Sequence, residues 1–365
     1  MTVPVSASQP SSAPKTTRKV SVVQWVVDTR KLWTSADRTT DLLHVVSRSS
    51  HPNPDPAPPP FALPADVTFS SDILTPPTQA KHPLSLLSDS ERQKALGFVF
   101  VRDAKLSLVS SLLKRLLISR YADVCWADAQ AQPDHHKKPV FRCPTTGAEP
   151  VAFNVSHQDG LVVLAAVCGY PAATSHDPHA GAVEVGVDVV STRERHHRDM
   201  DALVKPTRAA VTAAWNDHVD VYTEIFSPGE LHYLKTLPTP AYIAPAGEAE
   251  AAFRLRYFYA LWCLREAYVK MDGQALTAPW ISALEFRSFH PPVAGQGIVD
   301  GFDICLHGIP VHDARLELRS LGSDYMVATA IRTPAATQAA MDFALGPYVE
   351  IDLEAELRAV TGPAV

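Results

Sequence analysis

Residues 262–270 read WCLREAYVK: an aromatic residue, then Arg265 and Glu266, then Lys270 one turn past the glutamate, with no Gly or Pro in the run. The stretch lies inside a longer segment, about 249–272, that predicts a single long helix. On such a helix Trp262, Glu266 and Lys270 stand one turn apart along the same side. Spacing alone leaves two readings open. Glu266 and Lys270 form a surface pair worth about 0.2–0.5 kcal/mol, or the glutamate is held there for chemistry.

The surrounding chain supplies a framework. AVEVGVDVV (182–190) predicts an apolar strand ending at Asp188–Val190. FSPGE (226–230) starts a helix, with Ser227 as cap, Pro228 at its first position and Glu230 closing a capping box. SDSERQKAL (88–96) repeats that logic with Ser88 and Glu91. A second helix follows within about 99–120, where Leu106, Val109, Leu113 and Leu116 make an apolar stripe. Strands are expected at VSVVQWVV (20–27), VAFNVS (151–156) and LVVLAAVC (161–168), the last two joined by HQDG, whose Asp-Gly suits a hairpin turn. Further strands are expected near 281–288, 299–307, 313–319 and 324–331.

This order suggests an α+β pseudo-repeat of two halves, each with a long helix and antiparallel strands. The expected divisions are a disordered tail (1–19), an N-terminal half (20–180), a C-terminal half (181–333) and a C-terminal extension (334–365). Seven prolines in HPNPDPAPPPFALP (51–64) mark a loop inserted in the first half, and a Pro/Ala/Gly/His segment at 171–182 reads as a linker. No residue-level repeat of fixed period marks the duplication.

Composition narrows the function. Of 365 residues, 46% are apolar and 20% charged, which suits a globular protein able to bury a core. A net charge of −6 argues against a nucleic-acid binder, so any anion site must be built locally. No apolar run approaches the roughly 20 residues of a membrane span. Five widely spaced cysteines without a CxxC pair read as reduced thiols in a cytoplasmic protein. The tail is rich in Ser and Thr and basic before Asp28, as a transit peptide would be, but its prolines spoil an amphipathic helix.

Three places carry candidate chemistry. Asp188, at the end of an apolar strand, and Glu266 would together supply the one or two carboxylates that Mg2+ takes beside substrate phosphates, with Lys270 to neutralise a phosphate, but spacing alone does not bring the two carboxylates together. In FNVSHQ (153–158), Ser156 and His157 point to opposite faces of a strand, so they are not a nucleophile–base pair by themselves. The third is a basic set: Arg102 and Lys105 on the second helix, and His136, Lys137 and Lys138 in DHHKKPVFRC (134–143). A capping serine, a turn histidine and a solvated basic face are the plain alternatives. There is no GxxxxGK[ST] loop and no GxSxG elbow; GQGIVDG (295–301) misses the dinucleotide spacing, and HDPH (176–179) lacks the other ligands of a zinc site.

Taken in order, FVFVRDAK (98–105), KPVF (138–141), FNVSHQ, VGVDVV (185–190), FSPGE and WCLREAYVK resemble the Sfp-type 4′-phosphopantetheinyl transferases, specifically their monomeric eukaryotic branch. The resemblance spans about 95–275. It implies transfer of the phosphopantetheine arm of CoA to a serine of an apo acyl or peptidyl carrier protein, with release of 3′,5′-ADP. It also implies that Asp188 and Glu266 bind Mg2+ and that Glu266 is the base. The implied fold is a pseudo-dimer of two similar α+β halves, each an antiparallel sheet packed on a long helix, with CoA in the cleft between them. His157 and Lys270 would contact the pyrophosphate. Arg102 and the loop of His136, Lys137 and Lys138 would hold the 3′-phosphate end, and Lys105, Ser156 and Arg265 count among the residues that bind CoA. The implied partners are CoA and carrier domains, with neither nucleic acid nor membrane. Two positions depart from the pattern: Val190 replaces an acid found in many bacterial members, and Arg265 replaces a lysine. A non-catalytic CoA or carrier-protein binding module is the alternative that Val190 motivates.

Overall fold

The computed structural model describes residues 20–34, 36–43, 81–170, 183–240, 242–243, 247–295, 297–333 and 345–361. The tail, the proline-rich insert, the 171–182 linker and part of the C-terminal extension lie outside them. In chain order the elements of the first half are β1 (Ser21–Asp28), α1 (Thr39–Leu43), α2 (Lys81–Ser85), α3 (Asp89–Leu96), α4 (Val101–Tyr121), β2 (Gln132–Pro133), β3 (Pro139–Val140), β4 (Val151–Gln158) and β5 (Leu161–Cys168). The second half holds β6 (Glu184–Ser191), α5 (His196–Leu203), α6 (Arg208–Asp220), α7 (Pro228–Thr236), α8 (Glu248–Asp272), β7 (Leu284–Arg287), β8 (Asp303–Leu306), β9 (Ile309–Pro310), β10 (Ala314–Leu321) and β11 (Tyr325–Arg332). β12 (Val349–Glu350) and α9 (Leu353–Thr361) close the chain.

The duplication that no residue repeat betrays is visible in topology. Three antiparallel strands lie in the order β1-β5-β4 in the first half and β6-β11-β10 in the second. Each set reads strand, long helix, strand, strand along the chain, with the last strand in the middle of its sheet. α4 packs on β4 and β5, and α8 on β6 and β11. The expected hairpin turn is formed by Asp159 and Gly160, both at positive φ (45° and 86°). Both expected capping boxes are present, at Ser88/Glu91 and Ser227/Glu230.

Each helix–sheet pair encloses its own core, and a third core lies between the sheets. β6 belongs to two of them. Val185, Val187 and Val189 face the β5 side, while Val190 packs toward α8. Burial on both faces explains why this strand is almost continuously apolar rather than alternating. α8 is likewise covered nearly all round by the sheet and by α5–α7, so it is a core helix and not an amphipathic surface helix.

The segment set apart as a C-terminal extension returns to the first half. β12 adds a parallel strand to β1, and Leu353 and Leu357 of α9 enter the N-terminal core. The outer edge of β1 is thereby covered.

Candidate active site at the β4–β6 seam

The site begins with a missing side chain. A Cβ at Gly186 would lie 2.0 Å from the Ala267 carbonyl oxygen and 2.3 Å from the Met271 nitrogen. Only glycine lets α8 lie this close on β6, and that approach carries Glu266 and Lys270 to Asp188, two residues along the same face of the strand.

The two sheets join beside it through side chains. β4 and β6 run in the same direction without a backbone ladder. Asn154 Oδ1 accepts from the Val187 N–H (3.0 Å), Ser156 Oγ donates to Asp188 Oδ1 (2.9 Å), and Gln158 Oε1 accepts from the Ser191 N–H (3.0 Å). Period-2 alternation puts these three polar residues on one edge of FNVSHQ, and sends His157 the other way to an exposed position. Ser156 is therefore neither a helix cap nor solvent-facing. It is buried in the seam.

Lys270 Nζ donates to Asp188 Oδ1 and to Ser156 Oγ (3.0 Å), closing a triangle across three elements. The i,i+4 partner of Glu266 thus pairs across the seam instead. Glu266 makes no hydrogen bond or ion pair among the described residues. Burial raises the Asp188 carboxyl, against the pull of Lys270 and Ser156. Glu266 is also raised, first by burial and then by the charge of Asp188, with Lys270 opposing. For Lys270, burial works against the charge, but Asp188 and Glu266 outweigh it and the net shift is upward. Partial enclosure and the positive charge of Lys270 hold the His157 imidazole below its ordinary value.

A half-buried carboxylate whose side chain makes no hydrogen bond or ion pair among the described residues, beside a second carboxylate, suits a cation. The donors are all oxygen, as a hard ion such as Mg2+ requires, and two protein carboxylates match its habit of keeping waters and substrate oxygens. Among the described residues no group of three or more His, Cys, Asp or Glu side chains that could hold a metal gathers, at this seam or elsewhere. Val190 is buried beside α8 in the core and adds no ligand.

The remaining expected contacts divide. Arg102 is exposed at the start of α4, its guanidinium over the Phe100 ring at 5.2 Å. His136 and Lys137 are exposed in the β2–β3 loop, with His136 packed near Gly273 at the end of α8. Lys138 is turned inward: Nζ donates to the Met271 carbonyl oxygen (2.8 Å), filling a free acceptor of the last turn of α8. Burial lowers its pKa, against Glu184, Asp134 and Asp272.

Two expectations are corrected. Lys105 is only 9% exposed, and burial lowers its pKa against the charge of Asp37. It lies about 200° around α4 from Asp103, which feels the charge of His157, so it turns away from the seam. Arg265 is fully buried and does not reach a phosphate site. Its guanidinium pairs with Glu230 and donates to the Ile281 and Leu284 carbonyl oxygens, the latter at 2.9 Å. Glu230 in turn accepts from the backbone N–H groups of Ser227 and Phe286, both at 2.8 Å. FSPGE and WCLREAYVK are thus locked together by one buried ion pair.

Sequence reasoning passed over Gly186, Asn154 and Lys114. Alternation in FNVSHQ could have singled out Asn154. Lys114 lies on the same side of α4 as Asp103, and both act electrostatically on His157.

Comparison with known proteins agrees with this arrangement. Residues 76–169 match the family model for the 4′-phosphopantetheinyl transferase N-terminal region, and residues 184–330 match that for the 4′-phosphopantetheinyl transferase superfamily. The chain is 40% identical over 313 residues to 4′-phosphopantetheinyl transferase 1 of Fusarium mangiferae, covering 86% of this chain and 87% of that one. It belongs to the 4′-phosphopantetheinyl transferases. Within that family it is of the eukaryotic Sfp type. It is 34% identical to 4′-phosphopantetheinyl transferase A of Aspergillus fumigatus, over 68% of this chain and 77% of that one. It is 31% identical to the mouse L-aminoadipate-semialdehyde dehydrogenase-phosphopantetheinyl transferase, over 55% of this chain and 53% of that one. The boundary between the two matched families falls in the segment between β5 and β6, where the halves of the transferase part. None of its described helices is long and apolar enough to cross a membrane.

Proposed function

We propose that this phosphopantetheinyl transferase works as a cytoplasmic monomer and moves the phosphopantetheine arm of CoA to a carrier serine at the β4–β6 seam. Asp188 and Glu266 hold Mg2+ against the CoA pyrophosphate. The ion, when bound, supplies the positive charge that phosphoryl transfer needs. His157 and Lys270 face the pyrophosphate, and Arg102, His136 and Lys137 meet the 3′-phosphate end. Lys138 orients that loop from behind. Neither a membrane nor a nucleic acid takes part.

The carrier serine oxygen forms a bond to the β-phosphorus of CoA as the bond from that phosphorus to the oxygen bridging to 3′,5′-ADP breaks. Glu266, directly or through one water, takes the serine proton. Lys270 stays protonated and meets charge on the leaving phosphate.

The observation that carries this reading is the unpartnered Glu266 carboxylate beside the buried Asp188–Lys270 pair. Purified protein, CoA and Mg2+ should convert an apo carrier domain to its holo form, read as a mass increase. An unchanged carrier, where a known transferase modifies it, would overturn the reading. A second reading, a binding module that keeps CoA without catalysis, rests on Val190 in place of a third carboxylate. It requires CoA affinity that ignores Mg2+ in calorimetry. A panel of apo carriers with labelled CoA would then show which of the polyketide, peptide, aminoadipate reductase and fatty-acid classes are served.

A further inference from the structure

Lys270 and Asp188 satisfy each other before any substrate arrives. Both described donors to Asp188 Oδ1, Lys270 Nζ and Ser156 Oγ, come from side chains of the seam. One carboxylate oxygen offers about two lone-pair directions, and both are taken. Two of the three Nζ protons are likewise committed, to Asp188 and to Ser156. A metal at Oδ1 displaces the Lys270 hydrogen bond, and the freed proton then gives a phosphate two of the three Nζ donors in place of one. Glu266 has no such partner, so the cluster is asymmetric: one carboxylate is neutralised internally and the other is left open.

We propose that Lys270 is the internal stand-in for the metal, and that it exchanges Asp188 for a CoA phosphate as the divalent cation enters. Resting on the reading that Asp188 and Glu266 hold the metal, this assigns Lys270 a second duty beyond the phosphate contact. An isolated Asp188 would be costly in a buried seam, so the empty enzyme keeps an ammonium there. When a divalent cation takes over Oδ1, the ammonium is released within reach of the anion the cation brings with it. Metal and CoA then favour each other's binding through one lysine, a reciprocal coupling between neighbouring ligands. The cost is weak metal binding by the empty enzyme.

Mn2+ is the probe, titrated at pH 8 without CoA and followed through the spin resonance of the free ion. The proteins are the full-length wild type, Lys270→Met, Lys270→Gln and Asp188→Asn, with folding checked by thermal unfolding. Both Lys270 variants should bind Mn2+ at least about tenfold tighter than wild type, the least expected from deleting a competing charge-assisted hydrogen bond. Asp188→Asn should bind weakly. The wild type provides a variant-free check. The Lys270 side chain is 30% exposed. Its acylation by an amine-reactive ester, read by peptide mass spectrometry, should rise with Mg2+ alone and fall again when CoA is added. Unchanged Mn2+ affinity in the Lys270 variants, with Asp188→Asn still impaired, overturns the exchange and leaves the metal site standing. Unchanged acylation on adding Mg2+ overturns it independently. If no variant binds Mn2+ with or without CoA, the metal site itself falls, and the exchange with it.

Discussion

Arg265 gives the sharpest test of the architecture, because resemblance and structure assign it opposite roles. The resemblance puts a phosphate-binding cation at this position. The structure puts a guanidinium with no exposed surface against Glu230, itself 1% exposed, and two backbone carbonyls. Arg265→Met leaves the Glu230 carboxylate buried without a counter-charge, a loss of about 3–5 kcal/mol. The orphaned Ile281 and Leu284 carbonyls push toward the upper end of that range. Adding Glu230→Gln removes the stranded charge and keeps an acceptor for one of the Ser227 and Phe286 N–H groups, which bond different carboxylate oxygens of Glu230. The double variant should therefore be more stable than Arg265→Met alone, a coupling that a urea-unfolding cycle measures. Arg265→Lys, if folded, should bind CoA within about twofold of wild type by calorimetry, since no phosphate contact is lost. The reasoning fails if Arg265→Met unfolds at the wild-type urea midpoint while its CoA affinity drops tenfold or more.

Gly186→Ala should lower the unfolding temperature and abolish transfer together. Overpacking costs about 1–3 kcal/mol, and here α8 must move off Asp188; wild-type Tm and rate would refute the close-approach argument. Lys138→Met should cost about 1 kcal/mol and raise KM for CoA severalfold with kcat nearly kept, because it frees the 134–138 loop from α8. A fall in kcat at constant KM would place Lys138 at the reacting phosphate instead. Lys105→Met should leave CoA affinity unchanged. Glu266→Gln should bind CoA and lose turnover. Because its carboxyl is raised, Glu266 takes up a proton earlier on acidification than an ordinary glutamate, so Mn2+ affinity should begin to fall above the usual glutamate range. The same shift stabilises the fold at low pH. The folded state holds that proton more tightly, so the contribution is fully present below the ordinary glutamate pKa and is lost as pH rises through the raised one. Glu266→Gln removes this slope, which unfolding midpoints across pH would reveal.

Most elements were legible because their signals are local. Ser88/Glu91 and Ser227/Glu230 announce helix starts, Asp159-Gly160 announces a hairpin, and runs of β-branched and apolar residues mark the main strands. Asp188, Glu266 and Lys270 were legible as a group only through the order of their motifs. No spacing rule says that a strand residue and a helix residue about eighty positions apart meet. The C-terminal return of β12 had no local signal, since a two-residue parallel strand has no pattern of its own, whereas Leu353, Leu357 and Val360 give α9 an apolar stripe that does not say what it packs on. The duplication was legible from the order of the elements but left no residue-level repeat, because similar backbones need only similar burial patterns and not similar residues.

What the sequence by itself determined is the kind of structure and the kind of chemistry: two helix–sheet halves, two carboxylates, and cations for an anionic substrate. What only tertiary structure decided is which cation does what. Arg265 and Lys270 stand five residues apart on one helix, and nothing local separates their duties. α8 turns Arg265 toward Glu230 on α7 and Lys270 toward Asp188 on β6, because Gly186 lets it lie flat on the strand. A charge acts through its nearest partner, and in this protein those partners come from distant parts of the chain.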